Sequence, residues 1–114
     1  MADLTTIILT FNEEKNIANS INSVKNLSKR IVVVDSYSTD KTVEIAKSLG
    51  VEVIQHPFEN QAKQFIYAID YLTINTQWIM RLDADEMISI DAVKEIEDIC
   101  LTNKNTDING IVVR

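Results

Sequence analysis

The sequence predicts an α/β fold, an open and mainly parallel sheet with helices on both faces, on three observations. Short β-branched runs recur at strand length, apolar positions three and four apart fill the stretches between them, and the two patterns alternate along the 114 residues. Strand and helix in strict alternation imply parallel neighbours joined by right-handed crossovers.

The strands are expected at Leu4 to Leu9, Ile31 to Asp35, Val51 to Ile54, Trp78 to Leu82 and Ile111 to Val113. Each run is nearly continuous in apolar character, which suits burial on both faces. The helices are expected from four stripes: Ile17, Ile21 and Val24; Val43, Ala46 and Leu49; Ala62, Phe65, Ile66, Ile69 and Leu72; and Val93, Ile96, Ile99 and Cys100. Asn12 is placed to cap the first helix, with Glu13 and Glu14 at its positive end, and Gly50 to stop the second. The order is βαβαβαβαβ, without repeat or linker, so residues 1–114 are expected to form a single domain.

Composition excludes several function classes. Lys and Arg number 11 against 17 Asp and Glu, a formal net charge of −6, and Lys29-Arg30 is the only basic pair. Phosphate neutralisation needs clustered cations, so nucleic acid is not an expected partner. No apolar run approaches the roughly 20 residues of a membrane helix, and Met1-Ala2-Asp3 lacks the basic start of a secretion signal. The single Cys100 suits a reducing compartment, so the expected location is the cytoplasm.

Ligands of open parallel sheets sit outside the carboxyl ends of the strands, where strand order reverses. The residues there are Thr10-Phe11-Asn12-Glu13, Asp35-Ser36-Tyr37-Ser38-Thr39-Asp40, His56-Pro57-Phe58 and Asp83-Ala84-Asp85-Glu86. In the last, two carboxylates two positions apart on extended backbone point to one side, with a third acid following. A hard divalent cation, Mg²⁺ or Mn²⁺, relieves their repulsion and can bridge a diphosphate; equally, such acids suit a solvated loop capping the next helix. Asp35 can accept from an N–H donor such as a pyrimidine ring, and Phe11 offers a face for a base to stack on. As alternatives, Asp35 suits a turn and Phe11 a core. Arg81 faces the same way as Asp83 and is expected to form an ion pair with the acids. His56 is read as a turn residue, Trp78 as core and Cys100 as a buried, inert thiol.

The segments Leu9-Thr10-Phe11-Asn12-Glu13-Glu14, Val33-Val34-Asp35-Ser36-Tyr37-Ser38-Thr39-Asp40 and Leu82-Asp83-Ala84-Asp85-Glu86 resemble, in order and spacing, the nucleotide-sugar half of family 2 glycosyltransferases. Ala62-Lys63-Gln64 followed by Trp78-Ile79-Met80-Arg81-Leu82-Asp83 looks most like bacterial members that build lipopolysaccharide or capsular sugars. The resemblance implies a Rossmann-like GT-A fold that binds a nucleotide-sugar, usually UDP-linked, with Mn²⁺ or Mg²⁺. The sugar would pass with inversion to a hydroxyl of a glycan or lipid-linked acceptor. By motif position Thr10, Phe11 and Glu13 line the nucleoside, Asp35 reads the base, Asp83 lies near ribose and sugar, and Asp85 ligates the metal. Lys63 lies where relatives place a base near the diphosphate, with a solvated lysine as the alternative.

Tyr37 and Lys41 depart from the pattern, standing where relatives often have Gly, and Phe65-Ile66 stands where an Arg-Asn pair is common. Family catalytic domains run longer, so the resemblance implies a general base beyond Arg114, with residues 1–114 as the donor-binding part. Peripheral docking of the full-length protein at the inner face of the cytoplasmic membrane stays open. Two other classes use related folds. A nucleotidyltransferase would usually carry a Gly-rich, basic loop after the first strand, whereas Thr10 to Glu14 has neither feature. A receiver-type signalling domain would need an Asp after the third strand, which ends in Gln55-His56.

Overall fold

The computed structural model describes residues 2–102 and 110–112. Nine elements follow the expected order: β1 (Ala2–Thr10), α1 (Ile17–Val24), β2 (Ser28–Asp35), α2 (Thr42–Ser48), β3 (Glu52–Gln55), α3 (Gln61–Tyr71), β4 (Trp78–Asp83), α4 (Ile90–Thr102) and β5 (Gly110–Val112). The strands form one sheet in the order β3-β2-β1-β4-β5, every pair parallel. The fifth strand begins one residue before the expected Ile111, and Val113 lies outside the described residues.

Both sheet faces are covered, unequally. On one, Leu4, Ile8, Val33, Trp78, Met80 and Leu82 pack against Ile17, Ile21 and Val24 of α1, Ala46 of α2, and Ile96 and Cys100 of α4. On the other, Ile7, Leu9 and Val34 pack against α3 through Ala68, with Phe65, Ile69 and Leu72 beside it. Every residue of Ile31–Asp35 is buried, as a central strand requires. β3 is not: it is the sheet edge, with Glu52 and Gln55 exposed.

Three helix expectations are corrected. In α2 the buried stripe runs through Thr42 and Ala46, with Ile45 packed beside them in place of Val43. In α3 it is Gln64 and Ala68 that are buried, while Ala62 and Ile66 are exposed. In α4 Ile96 and Cys100 are buried and Ile99 is 42% exposed. Crossover hand is also not uniform. β1→β2 and β4→β5 step outward in opposite directions, yet α1 and α4 share a face, so these two connections have opposite hands. Ile88, just before α4, is tied to α1 by its N–H donating to Ser23 Oγ at 3.0 Å.

Gly50 follows α2 at φ +80°, the left-handed stop expected there. Among the described residues, no helix is long and apolar enough to cross a membrane.

Candidate functional site

Strand order reverses between β1 and β4, so the crevice belongs at their carboxyl ends. Three backbone bonds continue the sheet ladder into the loops: Ala84 N–H to Leu9 O, Ser36 N–H to Thr10 O, and His56 N–H to Asp35 O, each 3.0 Å. The loops after β3, β2, β1 and β4 therefore stand side by side. They enclose a cleft of about 220 Å³ lined by Thr10, Phe11, Glu13, Ser36, Phe58, Gln61, Asp83 and Asp85 among others.

The wall formed by the first two loops is a latch. Asn12, at φ +51°, does not cap α1; its Oδ1 accepts from Thr39 N–H at 2.8 Å, and its own N–H donates to Ser38 Oγ at 2.8 Å. The helix begins only at Ile17, with Asn16 at its cap position, because Glu13 O first accepts from both Asn16 and Ile17 N–H. Glu13 N–H donates to Thr42 Oγ1 at 2.9 Å, and Glu14 N–H to Asp40 Oδ2 at 3.3 Å. Burial alone would raise the pKa of Asp40, but hydrogen bonds from the Thr42 hydroxyl and the Thr42 and Glu14 N–H groups hold it below the ordinary range. Tyr37 takes φ +59°, so the turn after Asp35 has the left-handed geometry for which relatives often use Gly.

The other wall is acidic. Carboxylate oxygens of Asp83, Asp85 and Glu86 lie within 4.8 Å of one another. The turn is closed by Glu86 N–H donating to Asp83 O at 2.9 Å and Asp83 N–H donating to Glu86 Oε1 at 3.0 Å. Gln61, at the start of α3, donates from Nε2 to Asp83 Oδ2 at 3.0 Å. This hard, all-oxygen, partly exposed donor set fits Mg²⁺ or Mn²⁺.

Of the seven residues singled out from sequence, Thr10, Phe11, Glu13, Asp83 and Asp85 share the cleft. Phe11 is 55% exposed rather than core, and Thr10 Oγ1 is buried without a partner among the described residues. Asp35 and Lys63 do not line the cleft. Asp35 is fully buried, its carboxylate accepting from Ser38 N–H at 2.8 Å, from the Ser38 hydroxyl, and from Gln55 Nε2 at 3.3 Å. Lys63 points to solvent in an ion pair with Glu59 at 2.6 Å. Arg81, expected to pair with the acids, makes no ion pair among the described residues and lies 5.9 Å from the centroid of the Phe65 ring instead, because the odd residues of β4 face α3. Trp78 and Cys100 are core residues, as expected. His56, in the loop after β3, stacks on Tyr67 at 3.6 Å between ring centroids.

Ser36, Phe58 and Gln64 stood in the quoted sequence stretches without a role assigned to them, and Gln61 escaped the sequence reading. The two glutamines are one helical turn apart on α3, yet without the sheet beneath them they look like any solvated pair.

The glycosyl transferase family 2 model matches residues 5–110. A glycosyltransferase of Rickettsia prowazekii is 43% identical over 107 residues, covering 94% of this chain and 36% of that protein. The prophage-derived glycosyltransferase SunS of Bacillus subtilis is 40% identical over 90 residues, covering 75% of this chain and 21% of that protein. The chain thus spans about a third or less of the length of these relatives. Among solved structures, S. aureus TarS in complex with UDP-GlcNAc superposes with a TM-score of 0.68 at 22% identity, over 89% of this chain and 32% of that one. Glucosyl-3-phosphoglycerate synthase from Mycobacterium tuberculosis in complex with Mn²⁺, UDP and glucosyl-3-phosphoglycerate superposes with a TM-score of 0.63 at 19% identity, over 75% and 36% of the respective chains. The topology is that of these proteins, and by sequence match the chain belongs to glycosyltransferase family 2.

Proposed function

We propose that residues 1–114 are a donor-binding unit that holds a UDP-sugar in the cleft between β1 and β4. The observation that carries this is that Asp83 and Asp85, of an acid cluster completed by Glu86, line one cleft with Phe11 at the switch point of the sheet. The mycobacterial synthase and TarS, bound to UDP and to UDP-GlcNAc, support the choice of nucleotide.

Asp85 and Asp83 would hold Mn²⁺ or Mg²⁺, which when bound supplies positive charge to the diphosphate leaving group. Phe11 presents its face to the base, while Thr10 and Glu13 line the nucleoside. Gln61 keeps the Asp83 carboxylate turned into the cleft. Asp35 underpins the floor: by tying Ser38 and Gln55 together it fixes the turn on which the nucleoside wall stands. Lys63 meets a diphosphate only by leaving Glu59. For the whole protein the reading is inverting transfer to an acceptor hydroxyl in bacterial surface-polysaccharide synthesis, in the cytoplasm, with the general base supplied from beyond Arg114. The motif spacing and the family support it.

The test is calorimetric titration of the purified chain with UDP, with and without Mn²⁺, repeated on Asp85→Ala. Mn²⁺-dependent binding that Asp85→Ala abolishes is expected. A folded sample that ignores UDP in the presence of Mn²⁺ overturns the proposal.

A further inference from the structure

The strand that carries the acids ends in a turn that closes on itself. Successive N–H groups along a strand point to opposite neighbours. At the end of β4 the Ala84 N–H goes to Leu9 O of β1 at 3.0 Å, so the N–H and carbonyl of Asp83 face the other way, toward the β5 side. Among the described residues the β4–β5 register stops at Arg81 and Val112, before it reaches Asp83. Glu86 takes the place of a partner strand there. Its Oε1 accepts from Asp83 N–H at 3.0 Å, and its own N–H donates to Asp83 O at 2.9 Å. The reciprocity is that of a capping box, in which a side chain and a backbone N–H are bonded across one turn. The cleft lies on the opposite, β1 side of the turn: Asp83, Ala84 and Asp85 line it, and Glu86 does not.

We propose that Glu86 is a positioning residue: from behind the turn, through the backbone of Asp83, it holds Asp83 and Asp85 in the ligating arrangement before a cation arrives. Carboxylates whose oxygens lie within 4.8 Å of one another repel, and repulsion alone would open the turn. The two bonds to Asp83 oppose that opening. The one to the Glu86 carboxylate is the stronger, because its acceptor is ionised, and it is partly buried. Gln61 Nε2 holds the Asp83 carboxylate from the α3 side at 3.0 Å, so backbone and side chain of the same residue are fixed by different partners. A turn already ordered spares the cation the entropy of ordering it, and affinity rises accordingly.

The inference rests on the proposed UDP site, and the experiment separates the two. A role as metal ligand needs the charge of Glu86, whereas a positioning role needs its reach to Asp83 N–H. Glu86→Gln keeps the reach and loses the charge; Glu86→Asp keeps the charge and is one methylene short. UDP is titrated with Mn²⁺ present into wild type and both variants, with urea denaturation to show that each is folded. Glu86→Gln is expected to bind within about threefold of wild type, the scale of a screened charge lost near the cation. Glu86→Asp is expected to bind about tenfold more weakly than wild type, the scale of one charge-assisted hydrogen bond. Glu86→Asp binding as tightly as Glu86→Gln, or more tightly, overturns this inference alone; a folded wild type that binds no UDP with Mn²⁺ overturns both. Should Glu86→Asp not fold, Glu86→Gln decides, and binding weakened tenfold or more in it overturns the inference. Hydrogen exchange of the Asp83 amide, without Mn²⁺ or UDP, reads the bond directly. Slow exchange is expected in wild type and Glu86→Gln and faster exchange in Glu86→Asp, while one rate in all three would show that Glu86 does not hold the turn.

Discussion

Tyr37 and Asn12 are both left-handed, and they meet that demand differently. Asparagine tolerates positive φ and here gains a hydrogen bond from Thr39. Tyrosine does not, and the conformation costs a residue with a Cβ about 1–2 kcal/mol. The Tyr37 side chain is over half exposed, so little packing offsets that cost. Tyr37→Gly should therefore stabilise the chain by up to about 1 kcal/mol, after glycine's greater freedom in the unfolded state is set against the strain relieved. Urea denaturation measures it; a loss of stability would mean that the ring has a role the strain supports. Asn12→Ala should cost about 1–2 kcal/mol, through the lost Thr39 bond and the left-handed backbone. It should also weaken UDP, since the latch aligns Phe11 and Glu13; unaltered affinity would show that those residues are placed without it. The site residues legible in the sequence were those at strand ends, Thr10, Phe11, Glu13, Asp83 and Asp85, because strand ends in an open sheet have a known destination. Gln64 was not legible, because a glutamine in a helix gives no sign of burial until the sheet face beneath it is known, and exposed Gln61 was not, because its bond to Asp83 joins positions 22 residues apart.

At the scale of elements, β-branched runs located all five strands to within a few residues, since few other structures absorb them. Helix stripes were less well placed. In α3, spacings of three and four fit both Ala62-Phe65-Ile66-Ile69 and Gln64-Phe65-Ala68-Ile69, and only the second buries the smaller Ala68 against Ile7 and Val34. Bulk favoured the wrong register; close approach of helix to sheet favoured the right one. Edge position was likewise invisible in β3, where the compensation is an ion pair: Arg30 of β2 donates to both Glu52 carboxylate oxygens, at 2.6 and 2.8 Å, and to Thr73 O at 2.8 Å. Hydrogen bonding from Arg30 holds the Glu52 pKa below the ordinary range. The carboxylate pKa is lower folded than unfolded, so the stabilisation is present above the unfolded value, about 4.3, and fades as pH falls through the folded one. With the Glu52 side chain 48% exposed, it amounts to a few tenths of a kcal/mol at most. Glu52→Gln should remove that part of the stability lost between pH 5.5 and 3.5, read from urea midpoints; identical pH slopes in the two proteins would assign the acid sensitivity elsewhere.

Across the whole molecule, the acid turn links the candidate site to the larger core. Asp83 to Glu86 runs on through Ile88, which is bonded to α1, into α4, where Cys100 lies 5% exposed in the main cluster. Burial, with Asp3 and Glu97 adding to it, pushes the Cys100 thiol pKa up. The neutral thiol is favoured in the fold, so this contribution is full below the ordinary thiol pKa and is lost as pH rises past it. A thiol reagent at pH 8 therefore reaches Cys100 only when α4 lifts from the sheet. If lifting α4 breaks the turn that precedes it, whatever binds the turn must oppose the opening by its full binding free energy. UDP with Mn²⁺ at a hundred times its dissociation constant should then slow labelling about a hundredfold, equivalent to about 2.7 kcal/mol. Mn²⁺ alone should slow it less, and Asp85→Ala should label at one rate with or without either. Labelling that ignores bound nucleotide would show that α4 opens without disturbing Asp83 and Asp85, and the turn would then be anchored by β4 and the backbone bond from Ala84 to Leu9.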